Sequence, residues 1–123
     1  MERDSSSTIK VAIIGSRGFN NYSLLREKMF QVFRLADIEE IISGGAIGAD
    51  SLASKFAKEM DIPFREYTPD YGLSGKKAPI LRNLEIAQHC DTLVAFWDGA
   101  SKGTNFTIKQ AHRLNKEVLV FKI

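Results

Sequence analysis

Ile9-Lys10-Val11-Ala12-Ile13-Ile14, running straight into Gly15-Ser16-Arg17-Gly18-Phe19, decides how the rest of the chain is read. The first six residues are mostly β-branched and more nearly continuous than alternating in their apolar character. A strand buried on both faces has that composition, as in a parallel sheet covered by helices. The glycine-bearing turn behind it marks the strand's carboxyl end and the start of a βα connection.

Two further runs have the same character, Thr92-Leu93-Val94-Ala95-Phe96-Trp97 and Val118-Leu119-Val120-Phe121. Glu40-Ile41-Ile42-Ser43 and the weaker Pro63-Phe64-Arg65-Glu66-Tyr67 complete a set of strand candidates. Segments of helical period separate them. Leu25, Met29, Val32, Phe33 and Ala36 share one helical face, with Asn21 or Ser23 as the cap. Ala49, Leu52, Ala53, Phe56, Ala57 and Met60 repeat that spacing, and a third helix begins near Pro79 and reaches about His89. The last is expected from Thr104 to Leu114. Strand and helix alternate throughout, so right-handed crossovers predict an α/β, Rossmann-like three-layer sandwich. Its five-stranded, mostly parallel sheet should have the order 3-2-1-4-5, with a switch point between the first and fourth strands.

Composition narrows the function classes. The 123 residues carry a net charge of only +2, with acids and bases interspersed, which argues against a protein that coats DNA. Cys90 is the single cysteine, so the chain has no intrachain disulfide and no cysteine metal cluster, and a buried structural thiol is expected. His89 and His112 have no partners at ligand spacing, and no metal is called for. Residues 1–8 are polar and read as a disordered tail ahead of one domain, 9–123. No apolar stretch approaches the roughly 20 residues of a membrane span, so the cytoplasm is the expected address.

The chemistry is expected where the strands end. Gly15-Ser16-Arg17-Gly18 follows the first strand, Ser43-Gly44-Gly45-Ala46-Ile47-Gly48-Ala49-Asp50 the second, and Asp98-Gly99-Ala100-Ser101-Lys102-Gly103-Thr104 the fourth. The segment Thr68–Lys77 is long for a βα connection and reads as a lid or as a disordered, solvated loop, leading to Arg82-Asn83. All these segments fall on one edge of the sheet. Glycine lets backbone amides approach an anion, and a helix amino terminus offers unpaired N–H groups. The first loop lacks G-x-G-x-x-G spacing and no Walker A sequence occurs, so no dinucleotide or P-loop cofactor is predicted.

Together, Gly15-Ser16-Arg17-x-Phe19, Ser43-Gly44-Gly45-Ala46-x-Gly48-Ala49-Asp50, Arg82-Asn83 and Ala95-Phe96-Trp97-Asp98-Gly99-x-Ser101-x-Gly103-Thr104 resemble the YspA-like branch of the SLOG superfamily. That superfamily is named after the Smf/DprA DNA-processing proteins and the LOG phosphoribohydrolases. The resemblance runs from Lys10 to the end of the chain and implies a modified Rossmann domain. LOG-type members release a base from a nucleoside 5′-monophosphate, using a P-G-G-x-G-T-x-x-E loop and an arginine on the preceding helix. Gly103 and Thr104 match the phosphate-holding part of that loop, Arg82 matches the arginine, and the glutamate position falls on Thr107. Other branches bind nucleotides or nucleotide-derived signals as sensors.

The candidate ligand-binding residues are therefore Gly15, Ser16, Arg17, Gly44, Gly45, Ala46, Asp50, Arg82, Asn83, Trp97, Asp98, Ser101, Lys102, Gly103 and Thr104. Gly103 and Thr104 are assigned to phosphate, with Ser101 and Lys102 beside them, and Thr104 is equally read as a helix cap. Arg17 and Arg82 are the anion clamps, and Asn83 orients Arg82 or meets the ligand. Asp50 and Asp98 are the weak catalytic candidates, each also suited to ribose hydroxyls, and Trp97 stacks on a base or covers the sheet end. The leading expectation is a nucleotide-binding module, with a small-molecule partner. The alternatives are a nucleotide N-glycosidase, with Asp50, Asp98 or Glu85 replacing the missing glutamate, and single-stranded DNA binding, which the near-neutral charge disfavours. The resemblance is also compatible with a homo-oligomer, a dimer or higher.

Overall fold

In a computed structural model, which describes residues 8–45 and 48–123, the first strand sits in the middle of the sheet. The strands are β1 (Ile9–Gly15), β2 (Ile38–Ser43), β3 (Phe64–Glu66), β4 (Thr92–Trp97) and β5 (Glu117–Lys122). They form one five-stranded parallel sheet in the order β3-β2-β1-β4-β5. The expected α/β, Rossmann-like topology and its switch between β1 and β4 are therefore present. Val11 pairs with Ile41 on one side and Thr92 on the other, while Ile13 pairs with Val94 and Gly15 with Phe96.

Alternation along these strands divides the interior into two cores. Val11, Ile13, Val94 and Phe96 pack with Leu25 and Met29 of α1 (Tyr22–Val32) and with Ala53 and Phe56 of α2 (Ala49–Glu59). Ala12, Ile14, Leu93 and Ala95 pack on the opposite face with Ile86, Ile108 and Ala111. Those last three belong to α4 (Ala78–His89) and α5 (Lys102–Arg113). Burial on both faces is the reason the strands read as continuous apolar runs rather than alternating ones.

Several boundaries differ from the sequence reading. Asn21 caps α1 as expected, its Oδ1 accepting from the Leu24 N–H at 3.1 Å, but the helix stops at Val32. Phe33 is already extended, and Ala36 lies in a 3-10 turn, Leu35–Asp37, that feeds β2 two residues earlier than anticipated. β3 is trimmed to Phe64–Glu66, although the Pro63 carbonyl accepts from Ile41 N–H and Tyr67 N–H donates to Ser43. Proline can accept but not donate, which suits this edge strand.

The segment 68–77 is largely helical rather than a loop. Asp70 Oδ1 accepts from Leu73 N–H at 3.0 Å and opens α3 (Tyr71–Ser74), after which a 3-10 turn, Gly75–Lys77, runs into α4. α5 begins at Lys102, not Thr104, because Ser101 is the extended residue at its cap position. The anticipated tail lies, apart from Thr8, outside the described residues. Among the described residues, no helix is long and apolar enough to cross a membrane.

Cys90 is fully buried at the end of α4, and burial pushes its thiol up to about 11. A cysteine in an unfolded chain loses its proton near about 8.5. Between those values the folded state binds more protons, so stability should fall as pH rises through this window. A thiol-reactive disulfide should correspondingly leave the native protein unmodified at pH ~8 and label it once denatured. Phe56 is also fully buried, and Phe56→Ala should cost about 3–5 kcal/mol in urea unfolding, through lost burial and the cavity left behind.

Candidate functional site

The site forms where β1 ends. A Cβ on Gly15 would stand 2.5 Å from the Phe96 carbonyl and 2.8 Å from the Ala49 Cβ, so only glycine lets β4 and α2 close on this point. Ser16 continues the contact: its N–H donates to Phe96 O at 3.0 Å, and its Oγ accepts from the Asp98 N–H at 3.1 Å. Gly48 has φ +87°, and a Cβ there would meet the Arg17 carbonyl at 2.6 Å. The turn after β1 is thus pressed against the start of α2 and bonded to the end of β4.

Side chains from four helices and loops then surround a cleft of about 400 Å³. Its walls bring together Gly15, Ser16 and Arg17 from the β1 turn, Asp50 from α2, Arg82 and Asn83 from α4, and Asp98, Ser101, Gly103 and Thr104 from the β4–α5 connection. The volume lies in the usual range for small-molecule pockets.

Each charged group has a distinct setting. Asp50 meets the hydroxyl of Ser43, a buried residue whose Oγ also lies 2.9 Å from the Ile13 carbonyl. Asp98 folds back on its own loop, Oδ1 accepting from the N–H groups of Ala100 and Ser101 at 2.8 Å each. Those two amides hold its carboxyl below the usual aspartate range. Arg82 donates from Nε to Asn83 Oδ1 at 2.7 Å and from Nη1 to the Gly44 carbonyl. Neither Arg17 nor Arg82 forms an ion pair among the described residues.

The first turn of α5 faces the same space. No side chain caps it, so its leading amides lack a side-chain acceptor. Thr104 is the third residue of the helix rather than its cap, with Oγ1 3.2 Å from the Ser101 Oγ. Thr107 donates its hydroxyl to the Gly103 carbonyl at 2.9 Å.

Other predicted residues do not line the cleft. Trp97 is drawn aside, its indole N–H donating to Ser101 O at 3.0 Å while its ring packs on the second core. Lys102 is exposed and does not line the cleft, and Gly44, which is buried, and Gly45, which is exposed, are not among its lining residues either. Gly44 has a supporting role, because a Cβ there would stand 2.6 Å from Arg82 Nη1. Ala46 lies outside the described residues. The cleft adds Ile14, Gly18, Pro79, Ile86 and Thr107. Of these only Thr107 stood out beforehand, as the position where the LOG-type motif has glutamate. His89 rests its ring against Tyr67 and contacts its own helix at Glu85 O. Among the described residues, no group of His, Cys, Asp and Glu could hold a metal.

Residues 9–73 match the sequence model of the YspA, cpYpsA-related SLOG family. The chain belongs to that family. It is 34% identical over 87 residues to the gene 61 protein of Mycobacterium phage D29, covering 66% of this chain and 70% of that one. Among solved structures, DNA processing protein A (DprA) of Streptococcus pneumoniae superposes with a TM-score of 0.73 at 20% identity, over 92% of this chain. The match spans half of the pneumococcal protein. DprA of Helicobacter pylori, described for its single-stranded DNA binding mode, gives 0.68 at 20% identity, over 94% of this chain and 66% of its own. The structural-genomics target TM1055 gives 0.66 at 22% identity, over 89% and 71%. At such identities these likenesses establish the fold the family member shares with them.

The two supporting glycines should separate folding from site geometry. In Gly15→Ala the new methyl meets a backbone carbonyl that has nowhere to go, and overpacking should cost about 1–3 kcal/mol in urea unfolding. In Gly44→Ala it meets only the end of a flexible side chain. Stability there should stay within about 1 kcal/mol, while the Arg82 Nε–H resonance shifts as the guanidinium is displaced. Asp98 should titrate below the free-aspartate value of about 3.9. Its contribution to stability is present above that pH and lost as pH falls through the folded value, which carboxyl-carbon NMR can follow.

Proposed function

We propose that residues 9–123 act as one SLOG domain that binds a nucleotide or nucleotide-derived ligand by its phosphate, as a sensing module rather than a catalyst. The observation that carries this reading is the convergence of Arg17, Arg82 and the uncapped first turn of α5 on one cleft at the β1–β4 switch. Open α/β sheets bind ligands at such a switch, outside the carboxyl ends of the strands. Orphan amides and a guanidinium fork are complementary to phosphate oxygens, and neither arginine is neutralised by a carboxylate among the described residues.

The carboxylates favour binding over turnover. A general acid needs a carboxyl pKa raised toward the working pH, whereas Asp98 is held ionised by two amides. The position of the LOG-type glutamate holds Thr107, whose hydroxyl is engaged with its own helix. One observation supports a second reading, a nucleotide N-glycosidase: Asp50 lies in the cleft against the Ser43 hydroxyl. Base release from a nucleoside monophosphate, lost in Asp50→Asn, would establish that activity, and no turnover at high protein concentration would remove it.

A thermal-shift screen with nucleoside mono- and diphosphates, cyclic nucleotides, ADP-ribose and NAD tests the main reading. A true ligand at about 100 times its Kd should stabilise the fold by roughly 2.7 kcal/mol. Arg82→Ala and Thr104→Val should abolish the shift. No shift with any compound would reject nucleotide binding. Salt-dependent anisotropy of a labelled oligonucleotide would then move the assignment toward single-stranded DNA, in keeping with the likeness to H. pylori DprA.

A further inference from the structure

We infer that a second cleft, across the β1 turn from the first, receives the uncharged ring of the ligand; this rests on the phosphate reading above and extends it. The second cleft, about 540 Å³, opens on the α1 side of the turn and shares Ser16, Gly18 and Asp98 with the first. Its own walls are Phe19, Leu24 and Ile123, with Asn20 and Asn21 at the edge.

The charge distribution assigns the two halves. Arg17 and Arg82 both face the first cleft, whereas the residues lining the second include no lysine or arginine. An anion gains nothing there, and the Asp98 carboxylate would repel it. Apolar walls with a carboxamide at the rim suit a flat, neutral heterocycle. Asn21 Oδ1 already accepts from the Leu24 N–H of the α1 cap, so the Asn20 carboxamide is the one that offers both its oxygen and its NH2 to the ring's edge.

The ridge between the clefts lets a ligand cross. A Cβ on Gly18 would meet nothing within 4 Å, so the space above it is open. Asp98 stands on the same ridge, ionised and therefore purely an acceptor, which matches sugar hydroxyls rather than phosphate. Phosphate in the first cleft, a polyol over Asp98 and a neutral ring against Phe19, Leu24 and Ile123 describe a phosphorylated nucleoside lying across both.

Calorimetry with ribose 5-phosphate, the common 5′-mononucleotides and ADP-ribose tests this on the wild type, Ile123→Glu and Asn20→Leu. Both substitutions are at exposed residues outside the first cleft. At least one base-bearing compound should bind tenfold or more tightly than ribose 5-phosphate. Ile123→Glu should reduce that advantage to less than threefold while ribose 5-phosphate changes by no more than twofold, and Asn20→Leu should alter the ranking of the bases. Equal binding of ribose 5-phosphate and every base-bearing compound overturns the ring subsite alone, as does an advantage that survives in both variants. If no compound, ribose 5-phosphate included, binds the wild type, the phosphate reading fails and the ring subsite with it.

Discussion

The approach of three backbone segments at Gly15 determines what the rest of the site can be. β1 ends with its last residue against the Phe96 carbonyl of β4 and the first residue of α2, distances that leave no space for a side chain. Because the chain closes there, Ser16 can bond to the end of β4 through its N–H to Phe96 and to the loop just beyond it through its Oγ, which accepts from Asp98 N–H. Those bonds tie the β1 turn to the loop that leads into α5. The cleft is therefore assembled by close contacts between the end of β1, the end of β4 and the start of α2, with the Ser16 hydroxyl joining the first two. A site fixed in this way is preorganised, so less conformational freedom remains to be lost on binding.

Charge in the cleft is nearly balanced in number but not in availability. Two carboxylates and two guanidiniums line it. Both carboxylates have internal donors: the Ser43 hydroxyl for Asp50, and two backbone amides for Asp98. The guanidiniums lack carboxylate partners among the described residues, and Arg82 is steered only by neutral acceptors, Asn83 Oδ1 and Gly44 O. Neutral partners orient a guanidinium without cancelling its charge, so Arg82 is held in place at the cleft wall with its full charge.

Sheet order and core were legible because burial on both faces leaves a compositional trace. Val11–Ile14 and Leu93–Phe96 are apolar at every position, and both are buried throughout. The helix ends were harder to read. Phe33 and Ala36 continue the apolar spacing of α1, and no glycine or proline marks the place where the backbone turns extended. The helical start at 71 carried a readable signal, Asp70 three residues before Leu73, but two glycines and two lysines obscured it. Ser101 likewise precedes Gly103 and Thr104, and the glycine hid the earlier start of α5. Polar cleft residues were visible because they follow strands, whereas Ile14 and Ile86 are indistinguishable in sequence from core. Of the two readings of Trp97, stacking on a base or covering the sheet end, the structure has the second: its ring packs on the second core, and its indole N–H finds a backbone acceptor within its own loop, a contact that spacing alone does not reveal.

Thr107 shows how little substitution separates two kinds of site on one fold. Its hydroxyl bonds to the carbonyl four residues back, a local habit of threonine within helices, so the side chain is satisfied without a ligand. A glutamate at this place in the resembled LOG-type motif adds a carboxylate to the wall. Here Asp50 and Asp98 already line the cleft, and a third negative charge would weaken the attraction that Arg17 and Arg82 exert on an anion. A neutral threonine, almost fully buried, keeps the wall apolar toward Ile14 and Ile86 and leaves the arginine field intact. Threonine at this position therefore leaves Asp50 and Asp98 as the carboxylates among the lining residues, matched in number by the guanidiniums of Arg17 and Arg82.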